Sequence, residues 1–218
     1  FFLFYFLCGV FIFSDYGIHW DEDNNQAHGL KALEYFETLK QHNFNIVELE
    51  TSNSISFHEE FLQTHGPAFE LVLIAAEKIL RFTDSRQIIL LRHYLTFLLF
   101  FVGVIFFYRT IVLRHDNQIL GLLGALMLIL TPRIFAHSFY NSVDIAFLSL
   151  FIIGFYTHII FVGKPTFKNT LFHAFACAIL VDIRNVGIFL PILSLVWISI
   201  DIVIGKLSKR ELFRQSYL

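Results

Sequence analysis

The groups able to do chemistry in this 218-residue chain are a few carboxylates and one arginine set at the edges of apolar runs. The densest set is His19-Trp20-Asp21-Glu22-Asp23-Asn24-Asn25. Three adjacent carboxylates repel one another unless a cation or solvent compensates, so the cluster reads either as an acid–base site or as a solvated, helix-capping loop. Trp20 beside it is an interface anchor by type. A second segment, Pro132 to Asp144, ends with Asp144 at the mouth of an uncharged run. A carboxylate there suits a helix N-terminus, where free N–H groups and the helix dipole favour it, and it also suits proton transfer. The third is Asp182-Ile183-Arg184-Asn185, a polar break inside a long apolar stretch. Arg184 there snorkels to the membrane surface or pairs with Asp182.

Five of the ten histidines (His19, His28, His42, His58, His65) precede the second apolar run. His58-Glu59-Glu60 followed by His65 lacks the H-E-x-x-H spacing that puts two imidazoles on one helical face, so no metal site is expected there. His93, His158 and His173 read as helix-embedded polar residues. The two cysteines, Cys8 and Cys177, lie inside apolar runs and offer neither a disulfide framework nor metal-ligand spacing. Nucleophile elbow, P-loop and dinucleotide fingerprint are all missing.

The elements that must position these groups follow from composition. The chain is 56% hydrophobic and 16% charged, with a mean hydropathy of +0.64. Soluble domains carry nearer about 25% charged residues, so lipid is the expected solvent. A net charge of −2 supplies no basic field for nucleic acid. Apolar runs cover Phe1–Phe13, Ile88–Tyr108, Gln118–Phe135, Ile145–Val162 and about Thr170–Ile204. The last is too long for one span and is expected to be two helices meeting at Asp182–Asn185. Residues 1–14 are shorter than a span needs and are expected to be the outer half of one, in a chain clipped at both ends. About six spans result: residues 1–14, and five more within 88–204, with 205–218 as a cytoplasmic tail or connection. The fold class expected is an all-α polytopic membrane protein.

Orientation follows from the Lys and Arg of the short connections. Arg109 and Arg114, Lys164 and Lys168, and Lys206, Lys209, Arg210 and Arg214 occupy alternate connections, which are expected to be cytoplasmic. The acid-bearing segments, Ser14–Gln87, Ala136–Asp144 and Asp182–Asn185, are then outside. Within the first, two amphipathic juxtamembrane helices are expected. Asn24–Leu39 places Ala27, Leu30, Leu33 and Phe36 at helical intervals. Pro67–Arg81 carries Glu70, Glu77 and Arg81 as a charged stripe on an otherwise apolar, interfacial helix.

The Asp-Glu pair after the first span, the Gly-Pro-initiated helix and the Asp opening the fourth span together resemble the C-type glycosyltransferases. The protein O-mannosyltransferases and the aminoarabinose transferases that modify lipid A are the nearest in pattern. The resemblance covers nearly the whole chain as the amino-terminal half of such an enzyme. It implies transfer of a sugar from a polyprenyl-phosphate donor to a lipid, glycan or protein acceptor, on the periplasmic or luminal side of a bacterial inner membrane or endoplasmic reticulum. It further implies that Asp21 is the catalytic acidic residue with Glu22 its neighbour, that Asp144 is the second acidic position, and that Arg184 (in Arg184-Asn185-Val186-Gly187) meets the donor phosphate. Where aminoarabinose transferases carry a phosphate-binding Lys, this chain has Thr64-His65-Gly66-Pro67-Ala68. His65, only partly charged near neutral pH, therefore makes a phosphate site that is either weaker or differently built. No cofactor is demanded, though some C-type enzymes use a divalent metal. The competing classes are a transporter or flippase for a lipid-linked sugar, which would hold its ionisable groups near the midplane of repeated halves, and a non-catalytic membrane assembly protein.

Overall fold

A computed structural model describes residues 1–41 and 65–203. Every regular element among them is helical. In chain order these are α1 (Phe2–Ile12, continued by a 3₁₀ turn Phe13–Asp15), α2 (Glu22–Gln41), α3 (Ala68–Leu80), α4 (Ser85–His115), α5 (Gln118–Leu130), α6 (Pro132–Tyr140), α7 (Ser142–Gly163), α8 (Phe167–Ile183) and α9 (Phe189–Val203, entered through a 3₁₀ turn Asn185–Ile188). His42, His58, Glu59, Glu60, Lys206, Lys209, Arg210 and Arg214 lie outside the described residues.

Three stretches are long and apolar enough to cross a membrane: Ser85–His115, Ser142–Gly163 and Asn185–Val203. A fourth arises if α5 and α6 form one span, bent by 70°. The bend has a local cause. Pro132 cannot continue the hydrogen-bond ladder of α5 and forces Thr131 out of helical geometry, to φ −67° and ψ 109°, so a new helix starts at the proline. At 17 residues α8 falls just below span length, and α3, at 13, is well below it.

The core sits where α4 meets α1, α5, α6 and α7. Phe97, Phe100, Val104, Ala125 and Phe139 have no exposed surface there, and Phe97 stacks on Phe139 at 5.2 Å. Further along the bundle, Ser194 of α9 ties three helices together. Its hydroxyl lies 2.9 Å from His158 Nδ1 of α7 and 2.7 Å from His173 Nε2 of α8. The same hydroxyl donates to the Leu190 carbonyl at 3.0 Å. His158 and His173 are thus helix-embedded interhelical glue, as expected of their positions. The outer faces carry large exposed apolar residues, among them Met127, Phe175, Leu195 and Val203, which suits lipid as solvent.

Both amphipathic helices form, and each buries polar or charged groups on its inward side. On α2 the buried line is Glu22, Asn25, Gly29, Ala32 and Leu39, while Leu30 and Phe36 are exposed. Gly29 lets α3 approach closely, since a Cβ there would sit 3.1 Å from Glu70 Cβ. On α3, Glu70 and Glu77 are buried and Val72, Ile79 and Leu80 face out; of the expected stripe only Arg81 is exposed. The reason is a counter-charge on another helix, Arg92 of α4, which draws both carboxylates inward.

Candidate functional site

The three acid-bearing segments meet at one end of the bundle, and two polar centres form there. The outer one is built on the junction between α6 and α7. Asn141 caps α7 by accepting from the Asp144 backbone N–H at 3.0 Å, which leaves Asp144 in the first turn instead of at the cap. The Asn141 amide also donates to the Asp144 carboxylate at 3.0 Å and contacts His137 Nδ1 at 2.9 Å. Across from them, α8 ends at Arg184, whose guanidinium reaches Asp144 Oδ1 at 2.5 Å. The expected partner, Asp182, is engaged elsewhere: it accepts the Ala68 N–H of α3 at 2.8 Å. That contact occupies the α3 N-terminus with a carboxylate. Gly66 lies so close to the Asp182 carbonyl that a Cβ would overlap it.

Asp21 joins this centre through His19. The Asp21 backbone N–H donates to His19 Nδ1 at 3.3 Å, and the His19 ring stacks on Tyr140 with centroids 5.4 Å apart, 6.4 Å from the His137 ring. A continuous chain of contacts thus runs from Asp21 through His19, Tyr140 and His137 to Asn141, Asp144 and Arg184. The Asp21 carboxylate itself makes no hydrogen bond or ion pair among the described residues.

His65 stands on the other side of Arg184, its ring 5.3 Å from that of His28. Burial first, then the neighbouring His28 and Arg184, push its pKa below the ordinary histidine value, against the pull of Glu70. At neutral pH it is a neutral imidazole that can donate one hydrogen bond but brings no charge. The Arg184 guanidinium supplies the positive charge that meets Asp144.

The inner centre lies beneath and is buried. Arg92 of α4 donates to Glu77 Oε1 at 3.0 Å and to Glu70 Oε2, and its Nε lies 3.9 Å from Glu22, a charge contact too long for a hydrogen bond. Glu22 also meets His93 Nε2 at 3.2 Å and accepts the His19 backbone N–H at 3.3 Å. Glu70 accepts from Ser142 Oγ at 2.5 Å, and Glu77 from Gln26 at 3.0 Å. Glu22, beside Asp21 in sequence, therefore points away from the outer centre.

Magnitudes separate the two arginines. The Arg184–Asp144 pair is 42% and 46% exposed, and such pairs are worth about 0–1 kcal/mol, so Arg184 can exchange Asp144 for another anion at small cost. Its Nε is buried without an acceptor, a donor still to be satisfied. Arg92, 2% exposed and held by three carboxylates, has no such freedom.

Of the five residues singled out from sequence, Asp21, Asp144, Arg184 and His65 border the outer centre, and Glu22 belongs to the inner one. The pattern missed Arg92, His93, His137, Tyr140 and Asn141. A signal existed for the first two, an ionisable pair inside an apolar run, which marks a working position in lipid. Among the described residues no group of three or more His, Cys, Asp or Glu stands where it could hold a metal ion. One open pocket among the described residues runs along α9 between Ile192 and Val203 and includes no residue of either centre. No protein-family model, characterised protein or solved structure matches the chain.

Proposed function

We propose that this chain is a membrane glycosyltransferase that moves a sugar from a polyprenyl-phosphate carrier to an acceptor hydroxyl on the non-cytoplasmic face. The observation that carries the reading is the Asp144–Arg184 contact, which joins two separate interhelical segments near Asp21, whose carboxylate has no partner among the described residues. In this reading α1 and α8 count as spans beside α4, α7, α9 and the bent α5–α6 pair, giving six. The basic connections then face the cytoplasm.

A sugar phosphate already has a good leaving group, so the protein must supply a base and a cation. Asp21 takes the proton of the acceptor hydroxyl as its oxygen attacks the anomeric carbon. The bond from that carbon to the phosphate oxygen breaks, and its electron pair leaves with the polyprenyl phosphate. Arg184, released from Asp144, holds the departing phosphate by charge-assisted hydrogen bonds, with His65 as a neutral donor nearby. Direct displacement inverts the anomeric centre. Asp21→Asn is expected to lower transfer in membrane vesicles by about 10²–10⁴-fold with normal folding, the contribution typical of a positioned base. Full activity in that variant would remove Asp21 from the mechanism.

A further inference from the structure

Resting on that reading, we infer that Arg92 is a positioning residue that sets both outer acids from below, holding Glu22 beside Asp21 and, through Glu70, Ser142 beside Asp144. Neither outer acid touches Arg92, yet each lies within two residues of a group that its network immobilises. On one side, the Glu22 carboxylate is gripped by Arg92, by His93 at 3.2 Å and by the His19 backbone at 3.3 Å, and His19 in turn bonds the Asp21 backbone. On the other, Glu70 bridges Arg92 to Ser142 Oγ at 2.5 Å, in the turn of α7 that presents Asp144.

The cost of the arrangement argues for a task beyond cohesion. Three carboxylates and a guanidinium, each with a side chain at most 9% exposed, carry a desolvation penalty that apolar side chains of the same volume would not incur. What they provide is direction: α2, α3, α4 and α7 each contribute a group to one centre, so none of the four can shift without breaking a charged contact. Lys78 offers an internal control: its pair with Glu37 at 3.4 Å also joins α3 to α2 but is exposed and lies outside the Arg92 network.

The test compares Arg92→Lys, Ser142→Ala and Lys78→Ala in the full chain reconstituted in vesicles. Transfer is measured from polyprenyl-phosphate mannose or aminoarabinose, whichever the unaltered chain uses. In parallel, spin labels at the exposed positions 23 and 185, on a background with Cys8→Ser and Cys177→Ala, report the separation of the first acid-bearing end from the third, where Arg184 meets Asp144. Arg92→Lys and Ser142→Ala are expected to lower kcat by about 10²-fold, the effect of a displacement near 1 Å, while KM for the donor stays within about twofold. Both are expected to broaden the label distance distribution, and Lys78→Ala to leave kcat and distances unchanged. Ser142→Ala removes one hydroxyl and keeps the test open should Arg92→Lys fail to fold. Unchanged kcat and distances in the tether variants, or an equal loss in Lys78→Ala, would overturn the inference. If the unaltered chain transfers from neither donor, the glycosyltransferase reading fails, and the label distances alone then decide whether Arg92 positions the two acids.

Discussion

Replacing Arg92 by methionine removes the cation from a centre that holds three carboxylates. Deleting one partner of a buried ion pair costs about 3–5 kcal/mol, because an uncompensated charge stays behind. The sum here is smaller than three such losses. Glu70 keeps Ser142, Glu77 keeps Gln26, and Glu22 keeps His93 and the His19 N–H, so each carboxylate retains a donor. The expected destabilisation is therefore near the low end, about 3 kcal/mol, or about two powers of ten in the folding equilibrium. Lys78→Ala is the matched comparison. Its pair with Glu37 has the same kind of partners at 3.4 Å but is 56% and 60% exposed, and it should cost at most about 0.5 kcal/mol. Unfolding by titration with a denaturing detergent, followed by the fluorescence of Trp20 and Trp197, measures both. A loss for Arg92→Met no larger than for Lys78→Ala would refute the claim that this network holds the helices. A double-mutant cycle with Glu70→Leu should recover part of the loss, since it removes the stranded charge with its partner.

Two further outcomes can be read on the same assay. Gly66→Ala places a methyl on the Asp182 carbonyl, a backbone atom with little room to yield, and should destabilise by about 1–3 kcal/mol; no effect would place Gly66 away from α8. His65 binds its proton less readily when folded, so the unfolded chain holds more protons below the ordinary histidine value. Its contribution is full above about pH 6.5 and is lost as pH falls below it. His65→Gln should flatten that part of the stability–pH curve, and an unchanged slope would show that His65 is not buried as described.

The charged residues divide into those whose roles are local and those whose roles are not. Short-range physics determined the local ones from sequence. Apolar runs with few charges required helices in lipid, Pro132 required a break after Thr131, and the polar interruption at Asp182–Asn185 required two helices where the run was continuous. The same logic located Asp21, Asp144 and Arg184 at helix ends. Tertiary structure alone decided which groups meet. Arg184 has Asp182 two residues away, yet its partner is Asp144, because α7 and α8 bring their ends together while Asp182 caps α3. Periodicity told which residues of α2 and α3 share a face, but not which face turns inward. That depended on Arg92, a cation 15 residues from Glu77 and 22 from Glu70, whose buried charge makes the carboxylate face the interior one. A helical repeat records spacing along one element, whereas the sign of burial is set by the neighbour it packs against.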